Sequence, residues 1–250
     1  MRSSTSKIIN DYSINMPQEK NIFLNNIKKK YGYLKVMEYL ERLIQIKPMV
    51  IGEIIIDNYT FCEAIGKSGK EPVLVIKEIN SEKIIGGSAA VANNISAFCK
   101  TVDLVSYIGE KSDNLNFIKK NISKNISLKL IKKKNSPTIV KKRYVEFVNN
   151  TKILGVYNYN DNQISDLQKN ILLKKIKKND FKSKIIIVSD YAHGLISKKV
   201  AEKITSKAKY LAVNCQLNAS NISHHSIRKY KKSNLVLINE SELRHAWAVR

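Results

Sequence analysis

Ile84-Ile85-Gly86-Gly87-Ser88-Ala89-Ala90-Val91-Ala92-Asn93-Asn94 is the stretch whose reading decides the fold. A double glycine is followed at once by small residues and then by an amphipathic helical pattern. Paired glycines permit positive φ and let a ligand approach the main chain. The free N–H groups of the first helical turn attract anions and hydroxyls. Some thirty residues upstream lies Met49-Val50-Ile51-Gly52-Glu53-Ile54-Ile55-Ile56-Asp57. This apolar run is short enough for a buried parallel strand, and an acid closes it. In open α/β sheets ligands bind at the carboxyl ends of strands, so Asp57 and the Gly86-Gly87 turn are expected to face one pocket.

Downstream of the turn the pattern alternates. A helix is predicted over 88–99, a strand over 102–108, a helix over 113–121 and a strand over 127–131. Further alternation gives helix 164–178, strand 185–190, helix 197–208, strand 210–214, helix 222–230 and strand 235–238. Such alternation predicts a wound parallel sheet. Two β ribbons interrupt it. One joins 58–62 to 73–79, and the other joins 138–147 to 152–159 through Asn149-Asn150. Together they predict a small sheet laid over the main domain. Upstream, residues 16–47 read as a helical linker that Gly32 breaks in two, and 48–250 read as the main domain. Residues 1–15 carry Ser3-Ser4-Thr5-Ser6, either an ordinary tail or a hydroxyl-rich helix start.

The chain has 250 residues, 43% of them hydrophobic, enough for one sizeable α/β core. The net charge of +23 is mostly lysine, scattered among Asn and Ile. The runs Lys28-Lys29-Lys30, Lys132-Lys133-Lys134 and Lys174-Lys175-Ile176-Lys177-Lys178 lack interleaved aromatics. They read as solvated faces rather than as a nucleic-acid groove, so no specific nucleic-acid partner is expected. Cys62, Cys99 and Cys215 have no metal-ligand spacing, and His224-His225 have no acidic or cysteine partner at such spacing. Reduced thiols, and the lack of an apolar run of membrane-span length, lead to the expectation of a cytoplasmic protein without a membrane partner.

The ordered set of Asp57, a β lid, Gly86-Gly87, a second ribbon, Ser189-Asp190-Tyr191-Ala192-His193-Gly194 and Asn239-x-x-Glu242 resembles the ribokinase (PfkB) family of carbohydrate kinases. Within it, the chain looks most like the kinase domain of bifunctional heptose-phosphate kinase/nucleotidyltransferases. The resemblance implies a ribokinase-like three-layer α/β/α sandwich with a small β lid. It also implies phosphoryl transfer from ATP, with Mg2+, to a sugar or sugar phosphate. By the same resemblance Asp57, Gly86, Gly87 and Asn93 hold the sugar, and Arg143 meets a sugar phosphate. Asp190 faces the phosphate-transfer region with Asn239 and Glu242, the Glu acting on magnesium through water. Asn93 enters because Ala90 stands where the heptose kinases carry Asn. His193 replaces their Lys and reads as a polar loop residue. The hydroxyl-rich start fits the end of a preceding nucleotidyltransferase domain, and the lid strands a homodimer contact. The family's Gly-Ala-Gly-Asp motif supplies the catalytic base, and no Gly-x-Gly-Asp occurs in the sequence. The base is therefore expected beyond Arg250, with a C-terminal part of the fold missing and little activity from these residues alone. The rival expectation is a non-catalytic remnant that binds sugar phosphate.

Overall fold

The structure, a computed structural model, describes residues 17–217 and 225–247. Contacts divide the chain between Gln45 and Ile46. The first unit contains α1 (Gln18–Leu43), which leaves helical geometry at Gly32 (φ 70, ψ 164) and buries none of its side chains. Residues 1–15, with the Ser-Ser-Thr-Ser segment, lie outside the described residues.

The second unit holds two sheets. The first is parallel throughout, in the order β10-β9-β8-β1-β4-β5. Its strands are β1 (Pro48–Gly52), β4 (Val102–Gly109), β5 (Ile126–Lys133), β8 (Ile185–Asp190), β9 (Tyr210–Cys215) and β10 (Leu235–Leu237). Alternation along β1 sends Met49 and Ile51 to one face and Val50 to the other, and all three are fully buried. On the first face they pack with α4 (Asp166–Lys175) and α6 (Lys198–Lys207) through Leu172, Val200 and Ile204. On the second they meet α2 (Gly87–Ser96) and α3 (Leu115–Asn121) through Ala89, Ala92 and Ile118. A parallel sheet covered on both faces needs continuous apolar strands, which is why β1 and β8 lack a polar alternation. The result is three layers, α/β/α.

Chain order runs outward from β1 in both directions, to β4 and β5 on one side and to β8, β9 and β10 on the other. The carboxyl end of β1 is therefore the switch point, where the crevice of such a sheet opens.

The second sheet is the lid, in the order β3-β2-β6-β7, from β2 (Ile54–Lys67), β3 (Leu74–Gly86), β6 (Val140–Glu146) and β7 (Lys152–Asn158). It corrects the expectation for Asp57. The apolar run is not one strand closed by an acid. It breaks at Glu53, where the chain leaves the parallel sheet and enters the lid. Asp57 thus lies in a lid strand, with Ile84 on one side and Lys141 on the other. Two lid strands, β2 and β3, are also longer than the ribbon read from sequence, because they pair along nearly their whole length, whereas β6 and β7 fall slightly inside their expected bounds.

Two further helices differ from the sequence reading. The helix expected over 164–178 ends at Lys175, and a short helix, α5 (Asp180–Ser183), follows. Ser165 and Gln168 close a reciprocal capping box at the start of α4. Of the helix expected over 222–230, residues 222–224 lie outside the described residues and only a 3-10 turn, Ile227–Lys229, is present. The last helix, α7, spans Glu240–Trp247. Among the described residues, no helix is long and apolar enough to cross a membrane.

Candidate active site

Gly86 and Gly87 join β3 to α2 directly above the end of β1. Gly87 has φ 61, and a Cβ there would stand 2.3 Å from the Glu53 carbonyl oxygen. A Cβ on Gly86 would stand 2.3 Å from Oδ2 of Asp57. Gly87 needs glycine, for its positive φ and for the close main-chain oxygen, whereas a side chain at Gly86 would have to displace the Asp57 carboxylate. Ser88 begins α2 by donating its N–H to Glu53 O (2.8 Å) and its hydroxyl to Gly52 O (2.9 Å).

The turn borders a cavity of about 250 Å3 whose lining includes Asp57, Gly87, Lys141, Arg143, Tyr191 and Gln216. Arg143 donates to Asp57, and its guanidinium lies 5.5 and 5.6 Å from the rings of Tyr59 and Tyr157. Arg143 is thus neutralised by the acid expected to hold sugar hydroxyls. Lys141 is the register partner of Asp57, yet Asp57 bonds the residue two further along. Lys141 has no carboxylate within salt-bridge distance among the described residues. Burial first, and then the charge of Arg143, hold its pKa below the usual lysine value. Lys141 was not singled out from the sequence.

Asn93 is not brought into this cavity. Its amide donates to Asn121 O (2.8 Å) and accepts from Ser123 N (3.0 Å), which ties α2 to the α3–β5 connection. A helical turn beyond the glycines is far enough along α2 for the side chain to find backbone partners there.

Asp190 ends β8 and is fully buried. Its Oδ2 accepts from Tyr230 Oη and Lys229 Nζ, both at 2.5 Å, and its Oδ1 from Ala192 N at 3.1 Å. Beside it, fully buried Glu53 accepts three main-chain N–H groups, from Tyr191 (3.0 Å), His193 (3.2 Å) and Leu195 (3.2 Å). Burial, and then the neighbouring charge of Asp190, push the Glu53 carboxyl up to about 7.

His193 is not a solvated loop residue. It is fully buried, with Nδ1 2.7 Å from Asp161 and its ring against Tyr159. Burial lowers its pKa, so the imidazole is neutral near pH 7. Nor is every lysine run a solvated face. Lys133 is 2% exposed and donates to Asn160 O and to His193 O (2.8 Å). Burial lowers its pKa to about 8.

Asn239 and Glu242 cap α7 reciprocally. Glu242 N donates to Asn239 Oδ1 (2.8 Å), and Asn239 N donates to Glu242 Oε2 (3.1 Å). The other Glu242 oxygen accepts Leu217 N at the end of β9 (3.2 Å). Both oxygens are thus held by main-chain donors, each with a lone pair left for a water.

The fold also gives His225 the partners its sequence neighbours lack. Cys215 Sγ is 3.0 Å from His225 Nε2, and Asp190 lies 3.7 Å from it. The three could hold a metal ion, but Lys229 and Tyr230 already engage Asp190 and burial raises the thiol pKa. A larger opening, about 550 Å3, is lined by Ala192, Gly194, Ser197, Lys198, Arg228 and Lys229 among others. It lacks Asp57 and both turn glycines.

An acid and two cations border a glycine turn at the switch point of a lidded α/β/α sheet. The pfkB family of carbohydrate kinases matches residues 45–250, and the chain belongs to that family. Among similar proteins, the bifunctional protein HldE of Campylobacter jejuni subsp. doylei is 30% identical over 176 residues, covering 70% of this chain and 36% of its own. The chain thus spans little more than a third of that relative. Two solved structures share the fold. Phosphofructokinase-2 from Escherichia coli in complex with potassium matches at TM-score 0.59 and 12% identity, over 80% of this chain and 62% of that one. Arabidopsis thaliana ribokinase complexed with ribose and ATP matches at TM-score 0.51 and 14% identity, over the same shares.

Proposed function

We propose that this chain supplies the sugar-binding half of an ATP- and Mg2+-dependent kinase acting on a sugar phosphate of the heptose-phosphate type, in the cytoplasm. The observation that carries the reading is the cavity over β1, where Asp57, Arg143 and Lys141 converge beneath the Gly86-Gly87 turn. A carboxylate accepts two hydrogen bonds from a vicinal diol, which orients a sugar as well as binding it. Arg143 holds that carboxylate in place, and Lys141 offers a charge for an anionic substituent. A phosphate favours this cavity over a neutral sugar, because Lys141 has no carboxylate of its own.

Asp190, Asn239 and Glu242 are proposed to face the transferring phosphate. Glu242 suits contact with magnesium through water rather than direct ligation, since both its oxygens already accept main-chain N–H groups. Bound ATP supplies the phosphoryl group, and Mg2+ its charge neutralisation. Turnover is proposed to need the Gly-Ala-Gly-Asp base, which these 250 residues do not contain. Exposed Leu74, Leu154 and Val156 on the lid support a homodimer through its strands.

Calorimetric titration with an aldoheptose 7-phosphate tests the reading. The parent chain should bind saturably, and Asp57→Asn should weaken binding a hundredfold or more. Unchanged affinity in the variant would remove Asp57 from the site and the reading with it.

A further inference from the structure

We propose that Glu53, at the switch point between the two sheets, is the positioning residue that fixes the distance between the sugar-holding turn and the Asp190–Leu195 loop. The proposal rests on the carbohydrate reading of the cavity and assigns a role to a residue outside its lining.

Two separate groups of one residue carry it. The main-chain oxygen of Glu53 receives Ser88 N, the first donor of α2, and stands where a Cβ on Gly87 would collide. Its side chain crosses to the loop after β8 and gathers Tyr191, His193 and Leu195. The loop N–H groups of Tyr191, His193 and Leu195 are thus satisfied by a side chain from the β1–β2 break rather than by a helix or ladder. The loop conformation that presents Tyr191 to the cavity therefore depends on Glu53.

The two carboxylate oxygens divide the work. Oε2 takes Tyr191, and Oε1 takes both His193 and Leu195. Glu53→Gln keeps an acceptor for the last two but turns an N–H2 donor toward Tyr191 N. The substitution therefore releases selectively the one of the three that lines the cavity. A buried donor left without an acceptor drives a local shift rather than remaining in place.

The experiment pairs amide hydrogen exchange with titration of an aldoheptose 7-phosphate on the parent chain, Glu53→Gln, Glu53→Asp and Asp57→Asn. In Glu53→Gln, exchange at Tyr191 should accelerate while Ser88 stays protected, and sugar-phosphate affinity should fall tenfold or more. Glu53→Asp retains the charge but retracts it by one methylene, so it should lose affinity too, and it keeps the test open where the Gln variant does not fold. Parent-like affinity in a folded Glu53 variant overturns the positioning role, whatever happens to its melting temperature, because a merely structural carboxylate changes stability alone. Unaltered exchange at Tyr191 in Glu53→Gln overturns it as well. Asp57→Asn should lose affinity with exchange at Tyr191 unchanged, so failure of the carbohydrate reading shows in that variant and failure of the positioning role in the Glu53 pair. A parent chain that binds no sugar phosphate overturns both.

Discussion

The two ends of the parallel sheet treat buried charge in opposite ways. At the amino end, Asp103 of β4 is bonded by Lys184 and by Lys129 (3.0 Å), and Asp180 joins the cluster. Burial alone would raise the Asp103 pKa, but the two lysines outweigh it and hold the carboxyl below its ordinary value. At the carboxyl end, Glu53 and Asp190 share one close lysine, Lys229, and Glu53 is pushed the other way. Lys133, nearby, donates to two carbonyls, lies 4.9 Å from the centre of the Tyr107 ring and is depressed. One end is matched charge for charge and serves the fold. The other keeps charges that are costly to bury, the pattern expected where chemistry is placed.

The largest effect that could break this contrast is in the dependence of stability on pH. Glu53 has a folded pKa above its unfolded one, so the native state binds more protons between about 4.5 and about 7. Its contribution is lost as pH rises through that window, by up to about 3 kcal/mol. Lys133 has a folded pKa below its unfolded one, so stability should recover between about 8 and about 10.5. Denaturant melts across pH should show a minimum between the two windows. Glu53→Gln should flatten the acid limb, and a parent profile peaking near pH 7 would contradict the assignment.

A smaller effect is expected at the matched end. Asp103→Asn should cost about 2 kcal/mol at pH 7, because two half-buried lysines lose their shared acceptor. The loss should shrink as pH falls below the unfolded Asp value of about 3.8 and vanish only once pH has passed through the lower folded value, where the native carboxylate gains its proton. A penalty independent of pH would mean that packing rather than charge matters there.

The smallest effect concerns the lid, where one acid at the carboxyl end does have its own cation. A double-mutant cycle of Asp57→Asn and Arg143→Met should give a coupling of about 1 kcal/mol, since both side chains are about one-fifth exposed. Coupling near zero would leave Asp57 as unmatched as Glu53.

Sequence carried the layered architecture because parallel strands write themselves as apolar runs, and β1, β4, β8 and β9 all do. The glycine turn was legible for a related reason, since few other residues tolerate positive φ against a carbonyl. The Asn239–Glu242 pair was legible as spacing, because a reciprocal cap joins residues three positions apart. What escaped was set by pairing across distance. Nothing in Gly52-Glu53-Ile54 announces a change of sheet, since apolar residues flank the break on both sides. Lys133 looks like its neighbours Lys132 and Lys134, and only the strand's alternation turns it inward. His225 meets Cys215 and Asp190 through the fold, not through spacing. Asn93 was assigned by helical phase, which fixes a face but not how far along the helix a partner waits.

The break at Glu53 has a mechanical side. β2 starts at the very next residue and runs for 14 residues. At about 3.3 Å per residue it reaches roughly 46 Å from that point. A single residue is thus one of the joints between sheet and lid, and a rigid rotation of about 5° about it would sweep the far tip by roughly 4 Å. The same rotation would move Asp57, four residues out, by only about 1 Å. The arrangement converts coarse travel at the rim into fine adjustment beside the glycine turn.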